Sequence, residues 1–332
     1  MKIVMPELYG LTREDVDLSA LENLGDVVVV DRASKEELKA TLKDAEVLLV
    51  NKMEVDEDLI KDAEKLEYVG VTATGYNNVD TAYCKARGIT VTNVPGYSSN
   101  AVAQQVFGYL LEFYGRTHDF NDFVQRGGWT DSKTVSPLVL PQEELAGKTL
   151  GLIGYGQIAK KVAKIAEAFG MSVLAYSRSA LKSLEAESNT QTRGYLNRAD
   201  RNVSFVTLEQ LLKHADVISV HCSLNEDSLH MCNAEFFHQM KKGSFFINTA
   251  RGAIVEEAAL KHALESDHLA GAGLDVLEEE PMSTDCTLKG VKNCIITPHV
   301  GWTPKETRTR LVGIVAKNLE AYQNGKPQNV VE

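Results

Sequence analysis

KTLGLIGYGQIAKKVAKIAEAFGMSVLAYSRS, residues Lys148 to Ser179, contains a whole supersecondary unit within its own sequence. An apolar run, Leu150 to Ile153, turns through Gly154, Gly156 and Ala159, and Ile158, Val162, Ile165, Ala166 and Phe169 then follow at helical spacing. Gly170 suits a left-handed helix end, and Met171 to Tyr176 reads as a second buried strand. A strand, glycine turn, helix and strand within about 30 residues is the βαβ unit that binds dinucleotides. Gly154 allows the tight bend, Gly156 lets the backbone approach a pyrophosphate, and the small Ala159 lets helix and strand pack closely. Free N–H groups at the helix start then face phosphate charge. Glycines alone would also fit a purely structural turn; the flanking strand and helix favour the cofactor.

The end of the second strand departs from the NAD pattern. A carboxylate for the ribose 2′-hydroxyl is expected about 20 residues on from the glycines, yet the strand runs into Ser177-Arg178-Ser179. An arginine between two hydroxyls suits a 2′-phosphate through charge-assisted hydrogen bonds, which a carboxylate would repel. NADP is therefore expected ahead of NAD. Arg178 stacked on adenine, with Ser177 serving the 2′-hydroxyl, would leave either cofactor usable.

The chain has 332 residues and is 44% hydrophobic, enough to bury two cores. Its net charge of −11 argues against a nucleic-acid partner, so an anionic substrate must be met by placed cations. No apolar run approaches a membrane span, and the opening Met1-Lys2-Ile3-Val4-Met5-Pro6 reads as a strand and not a leader, so a cytoplasmic protein is expected. Cys84, Cys222, Cys232, Cys286 and Cys294 form no C-x-x-C pair; reduced, mostly buried thiols and no metal are expected.

Outward from the central unit, strands and helices alternate in both directions. Before residue 100, Ile3 to Met5, Val27 to Val30, Val47 to Val50, Tyr68 to Val71 and Ile89 to Asn93 read as strands, with helices near Lys35 to Lys43, Asp56 to Ala63 and Asp80 to Arg87. That is a complete small α/β domain. Its loop Thr72 to Asp80 ends a strand, where open parallel sheets bind ligands, and the N–H groups of Thr74 and Gly75 could meet a carboxylate. Taken alone, the loop reads first as a tight turn capped by Asp80. Lys52, at the end of a neighbouring strand, is either an added cation or a solvated lysine.

Tyr97 to Asn100 reads as a hinge from which the helix Ala101 to Gly115 leaves for the second domain. Gln125 to Leu145 is loop-like and is expected to be an arm toward a second subunit. Ala180 to Asn202 is polar and aperiodic; its Lys182, Arg193, Arg198 and Arg201 fit a solvated loop or a reach toward a 2′-phosphate. The β/α rhythm then resumes from Leu208 to Thr297, and a last helix, Lys305 to Asn324, is placed to pack back on the first domain.

Reducing a 2-oxo acid by hydride needs a cation for the carboxylate and carbonyl oxygen, a proton donor for the developing alkoxide, and a partner for that donor. Arg251, His299 and Glu280 each follow a strand and supply one of each. Arginine matches a carboxylate bidentately, histidine titrates near neutrality, and a glutamate favours the protonated ring and holds its orientation. Individually, a surface salt bridge, a loop histidine and one member of the run Glu278-Glu279-Glu280 would explain them.

Taken together, LGLIGYGQIA, FFINTARGAIVEEAAL, GAGLDVLEEEP and ITPHVGW, with ATGYNNVD upstream, closely resemble the D-isomer-specific 2-hydroxyacid dehydrogenase family over almost the whole chain. The ATGYNNVD, NVPGYSSNAVAQ and HVGW details resemble its glycerate dehydrogenase/hydroxypyruvate reductase branch. The resemblance implies an α/β protein of two Rossmann-like, doubly wound domains that works as a homodimer on NAD(P). A smaller, flavodoxin-like substrate domain would comprise residues 1–98 plus 300–332, and the cofactor domain residues 99–299. It makes Arg251, Glu280 and His299 catalytic. It sets Val102, Tyr155, Gln157, Ile158, Cys222, Thr249, Ala250 and Asp275 beside the cofactor together with Gly154, Gly156 and Ser177 to Ser179, and it gives Asp275 the nicotinamide carboxamide. Lys52, Ala73, Thr74 and Gly75 would bind substrate with Arg251 and His299. The implied reaction is reduction of hydroxypyruvate or glyoxylate. Larger 2-oxo acids and a nucleotide-sensing corepressor on the same fold are the competing readings, whereas a formate dehydrogenase would carry glutamine at Glu280.

Overall fold

A computed structural model of the protein describes residues 1–178 and 203–331. The chain divides into two compact units, Met1–Ser98 with Trp302–Glu332, and Ser99–Gly301.

The smaller unit is a parallel sheet of β1 (Lys2–Met5), β2 (Asp26–Val29), β3 (Val47–Val50), β4 (Tyr68–Val71) and β5 (Thr90–Thr92), in the order β2-β1-β3-β4-β5. That order is the flavodoxin-like one. β3 and β4 are buried at every position, which is why they read as unbroken apolar runs. Val4, Leu48 and Val69 face one core with Leu38, Leu42 and Leu59. Ile3, Met5, Leu49 and Tyr68 face the other, where Leu311, Val312, Val315 and Leu319 of the helix Lys305–Gln323 cover them. A segment nearly 300 residues away in sequence thus closes the sheet. Arg308 of that helix clamps Asp15 through two hydrogen bonds of 2.7 and 2.6 Å.

The larger unit carries β6 (Thr149–Ile153), β7 (Ser172–Tyr176), β8 (Val203–Phe205), β9 (Val217–Val220), β10 (Ser244–Asn248), β11 (Leu269–Leu274) and β12 (Cys294–Ile296). Their order, β12-β11-β10-β9-β6-β7-β8, is the dinucleotide-binding order with a seventh strand added. Chain direction across the sheet reverses between β6 and β9, the switch point at which such sheets bind ligands. The helix Gln157–Ala168 ends as its sequence implies: Gly170 takes φ +73°, its N–H bonds Glu167 O at 2.9 Å, and Met171 N–H bonds Ala166 O at 3.0 Å.

Three local expectations need correction. The helix anticipated over Asp56 to Ala63 spans only Glu57–Ile60, capped by Asp56 and closed by a turn from Ala63 N–H to Ile60 O. Thr117–Gln125 is a helix that the alternation did not suggest; it buries no residue, so no core stripe marks it. β8 has only three residues at the sheet edge, too short for a period-two signal. Ser179 and the segment 180–202, with Lys182, Arg193, Arg198 and Arg201, lie outside the described residues. Among the described residues no helix is long and apolar enough to cross a membrane.

Candidate active site

The glycine turn after β6 sits at the switch point. At Gly154, φ +87°, a Cβ would lie 2.6 Å from Cys222 N and 2.8 Å from Cys222 Cα, so the turn presses on the chain leaving β9 and only glycine fits. Gly156 is different. Its backbone is extended, and among the described residues a Cβ there would meet nothing within 4 Å. The protein itself does not require a glycine at this position; a ligand approaching the backbone would. The helix that follows has no side-chain cap and no acidic residue in its first turn, so its leading N–H groups are suited to an anion.

Between the ends of β6, β7 and β9 lies a cavity of about 460 Å³ that brings Gly154, Ser177, Arg178 and Cys222 together. Val102, Tyr155, Gly156, Gln157, Ile158, Thr249, Ala250 and Asp275 stand outside its lining. Val102 and Ile158 pack into the protein, and Tyr155 lies edge-on to Phe205 at 5.1 Å. Thr249, just past β10, has a buried hydroxyl with no hydrogen-bond partner among the described residues. An open cradle at Gly156, an unsatisfied buried hydroxyl and a cavity at the switch point together fit a dinucleotide. Arg178 is not a bare cation: it pairs with Asp227 across the cavity and donates to Asn225 Oδ1 at 3.4 Å.

The three chemical candidates are held by interlocking loops. After β10, Asn248 folds the chain back by donating to Arg251 O at 2.8 Å and accepting from Ala250 N–H at 3.0 Å, and Arg251 Nη1 donates to Ala250 O at 2.7 Å. After β12, His299 Nδ1 meets Glu280 Oε2 at 2.7 Å, while Glu280 Oε1 accepts the Leu277 N–H at 3.1 Å. Glu280 therefore has one oxygen on the imidazole and the other on its own loop.

His299 stands at φ +54°, a left-handed conformation that costs a non-glycine residue energy and must be held by its surroundings. Asp275, just past β11 and 3% exposed, does the holding. Its Oδ1 accepts from Thr297 Oγ1 at 2.6 Å and Val300 N–H at 2.8 Å, and its Oδ2 from Gly301 N–H at 2.8 Å. Tyr109 OH lies 2.5 Å from Thr297 Oγ1, and burial pushes this phenol up to about 12, so it remains a donor. Both oxygens of Asp275 are thus occupied in bracing the His299 loop.

In the smaller unit, Thr74 and Gly75 follow β4, and neither backbone N–H is spent on a backbone carbonyl among the described residues. Thr74 is fixed by its hydroxyl, which donates to Val94 O at 2.8 Å, and by Asn93 Nδ2 on its carbonyl at 2.7 Å. Ala73 O accepts from Val94 N–H at 2.9 Å. The Lys52 loop is gathered by the Glu7 carboxylate, which accepts the N–H groups of Asn51, Lys52 and Met53 at 2.7 to 3.1 Å.

Residues 107–301 match the family described as D-isomer specific 2-hydroxyacid dehydrogenase, NAD binding domain. A hydroxypyruvate reductase of Blautia hydrogenotrophica is 39% identical over 334 residues, 100% of this chain and 99% of the relative. The chain belongs to the D-isomer specific 2-hydroxyacid dehydrogenase family. It is accordingly an NAD(P)-dependent oxidoreductase. A glycerate dehydrogenase of Methylorubrum extorquens is 38% identical over 90% of this chain and 88% of the relative. Among solved structures, an NADPH-dependent glyoxylate/hydroxypyruvate reductase of Sinorhizobium meliloti, in complex with NADP and malonate, superposes with a TM-score of 0.79 at 27% identity, over 99% of this chain and 96% of that one.

Several residues that shape the site of this 2-hydroxyacid dehydrogenase carry no chemistry of their own, and sequence reasoning passed over them. Asn248 is an ordinary strand end until its amide is seen folding the Arg251 loop. Gly252 looks like a turn glycine, yet a Cβ there would fall 1.8 Å from both the carbonyl carbon and oxygen of Leu277. The Arg-Gly pair was visible, but the approach of a second loop was not. Asp227 belongs to a polar stretch with no motif.

His221, at the end of β9, gives the dehydrogenase a pH-dependent stability. Desolvation by the surrounding protein pushes the partly buried ring down to about 4, with Nε2 2.9 Å from Ser219 Oγ. Its ordinary value near 6.5 applies once unfolded, so the unfolded chain takes the proton first as pH falls. The contribution is complete above about pH 6.5, is lost progressively toward pH 4, and amounts to at most about 3 kcal/mol. Urea midpoints of the wild type should fall across that window, and His221→Asn should flatten the slope; equal slopes would remove His221 as the cause.

Proposed function

We propose that this dehydrogenase reduces a small 2-oxo acid, hydroxypyruvate or glyoxylate, to the D-2-hydroxy acid, with NADPH as the favoured donor and NADH usable. The observation that carries the reading is the Glu280–His299 pair, whose 2.7 Å contact orients an imidazole as a proton donor. When bound, the reduced nicotinamide supplies the hydride. Arg251 binds the substrate carboxylate and polarises the carbonyl through its planar fork. His299 gives the proton from Nε2 to the alkoxide oxygen as it forms, and Glu280 holds the ring in place by Nδ1. Hydride on carbon and proton on oxygen complete the reduction; the oxidation reverses both. Thr74 and Gly75 offer backbone N–H groups to the substrate carboxylate, with Ala73 and Lys52 beside them. The glycine turn, the start of the helix Gln157–Ala168 and the Thr249 hydroxyl hold the cofactor, and Ser177 and Arg178 take its ribose end.

The substrate choice is supported by the relatives, whose names are hydroxypyruvate reductase and glycerate dehydrogenase. We further propose a homodimer with the 125–145 segment as its arm, supported by the exposed Trp129, Val135 and Leu138. The test is the steady-state rate on hydroxypyruvate and glyoxylate with NADPH and NADH in parallel. The expected result is turnover with both donors and a kcat/KM about tenfold higher for NADPH, about 1.4 kcal/mol of discrimination. No oxidation of either donor would overturn the substrate reading, and a preference for NADH would overturn the reading of Arg178.

A further inference from the structure

We propose that Asp227 sets the cofactor selectivity of this enzyme, acting as a built-in counter-charge that restrains binding of a ribose 2′-phosphate at Arg178 and so keeps NADH usable. The inference rests on the reading of Arg178 as the 2′-phosphate site.

Three observations support it. Arg178 lies at the end of β7 and Asp227 in the loop after β9, and both line the same cavity, so the pair spans the space it lines. Asp227 is also held in place by its loop. Asn225 Oδ1 accepts the N–H groups of Asp227 at 3.1 Å and Ser228 at 3.2 Å, while Ser228 Oγ accepts the Asn225 N–H at 2.8 Å and donates to Ser223 O at 2.8 Å. Ser228 is 3% exposed, which anchors the turn. Finally, the same Asn225 Oδ1 accepts from Arg178 at 3.4 Å, so the turn and the guanidinium form one hydrogen-bonded group.

The electrostatic consequence follows from sign. A 2′-phosphate brings a charge of about −1.5 to −2 near neutral pH. It must take Arg178 away from Asp227 and then sit beside a carboxylate that repels it. A 2′-hydroxyl meets neither cost. Selectivity between two ligands can be set by repulsion of one as well as attraction of the other, and here both elements stand in one pair. Both side chains are partly solvated, so the expected effect is moderate.

The experiment compares wild type, Asp227→Asn, Asp227→Glu, Arg178→Ala and the Arg178→Ala/Asp227→Asn double variant. For each, kcat/KM is measured with NADPH and NADH, together with the inhibition constants of 2′,5′-ADP and 5′-AMP. Asp227→Asn is expected to raise the NADPH-to-NADH ratio by about three- to tenfold and to tighten 2′,5′-ADP relative to 5′-AMP by a similar factor. Asp227→Glu, which keeps the charge, should stay within about twofold of wild type, and the Asn effect should vanish in the Arg178→Ala background. A ratio unchanged by Asp227→Asn, alongside one that collapses in Arg178→Ala, overturns the role of Asp227 and leaves the Arg178 reading intact. A ratio unchanged by Arg178→Ala overturns both. An Asp227→Glu variant that matches Asp227→Asn also overturns the proposal, because packing of the loop and not charge would then set the ratio.

Discussion

Replacing His299 by alanine is expected to lower kcat on hydroxypyruvate by about 10²- to 10⁴-fold, the range for loss of a positioned general acid. The size follows from the geometry around the ring. Nδ1 is committed to Glu280 at 2.7 Å, so the proton that leaves must come from Nε2, and no other residue of the braced loop from Thr297 to Gly301 carries an acid or base side chain. The left-handed backbone at His299 is sustained by Asp275, which does not depend on the imidazole. The variant should therefore fold normally, bind NADPH, and fail in the chemical step. Single-turnover rates with cofactor binding followed by fluorescence separate these possibilities. A kcat within about tenfold of wild type would assign the proton to another group.

The second large effect is structural. Gly252→Ala places a Cβ 1.8 Å from the Leu277 carbonyl carbon and oxygen and 2.4 Å from Glu278 N. These are backbone atoms that no rotamer change can move. Either the loop carrying Arg251 or the loop carrying Glu280 must shift, and because Glu280 bonds both Leu277 N–H and His299, displacement of its loop disturbs His299 as well. A loss of about 3 kcal/mol or more is expected, seen as a melting temperature lower by about 5 °C or more, with kcat/KM falling in parallel. A variant with wild-type melting temperature and activity would show that the two loops do not depend on this contact. Gly156→Ala is a useful comparison: its Cβ meets nothing within 4 Å among the described residues, so the defect is expected in cofactor affinity and not in stability.

Much of the site was legible because its chemistry is local in sequence. Gly154, Gly156 and Ala159 serve one turn, and turn, helix and strand lie within thirty residues, so periodicity and glycine placement suffice to read them. Arg251, Glu280 and His299 were recognisable as a set through their motifs and through their positions after strands. Their neighbours were not. Asn248, Gly252 and Asp227 act on residues through contacts that periodicity does not encode. Asp275 was readable as a motif acid, but its work in bracing Val300 and Gly301 lies 25 and 26 residues away in the chain.

The sequence by itself determined the alternation of strand and helix, the dinucleotide unit and the absence of a carboxylate at the end of β7, and it singled out the residues proposed as cation, acid and partner. These are properties of residue type and short-range spacing, which physics expresses within a few turns of chain. Only the tertiary structure decided the strand orders, the covering of the first sheet by Lys305–Gln323, the Gly252 contact, and the pairing of Arg178 with Asp227. Each joins segments tens to hundreds of residues apart, and their proximity is set by how apolar faces bury against one another, not by any local preference of the residues that meet.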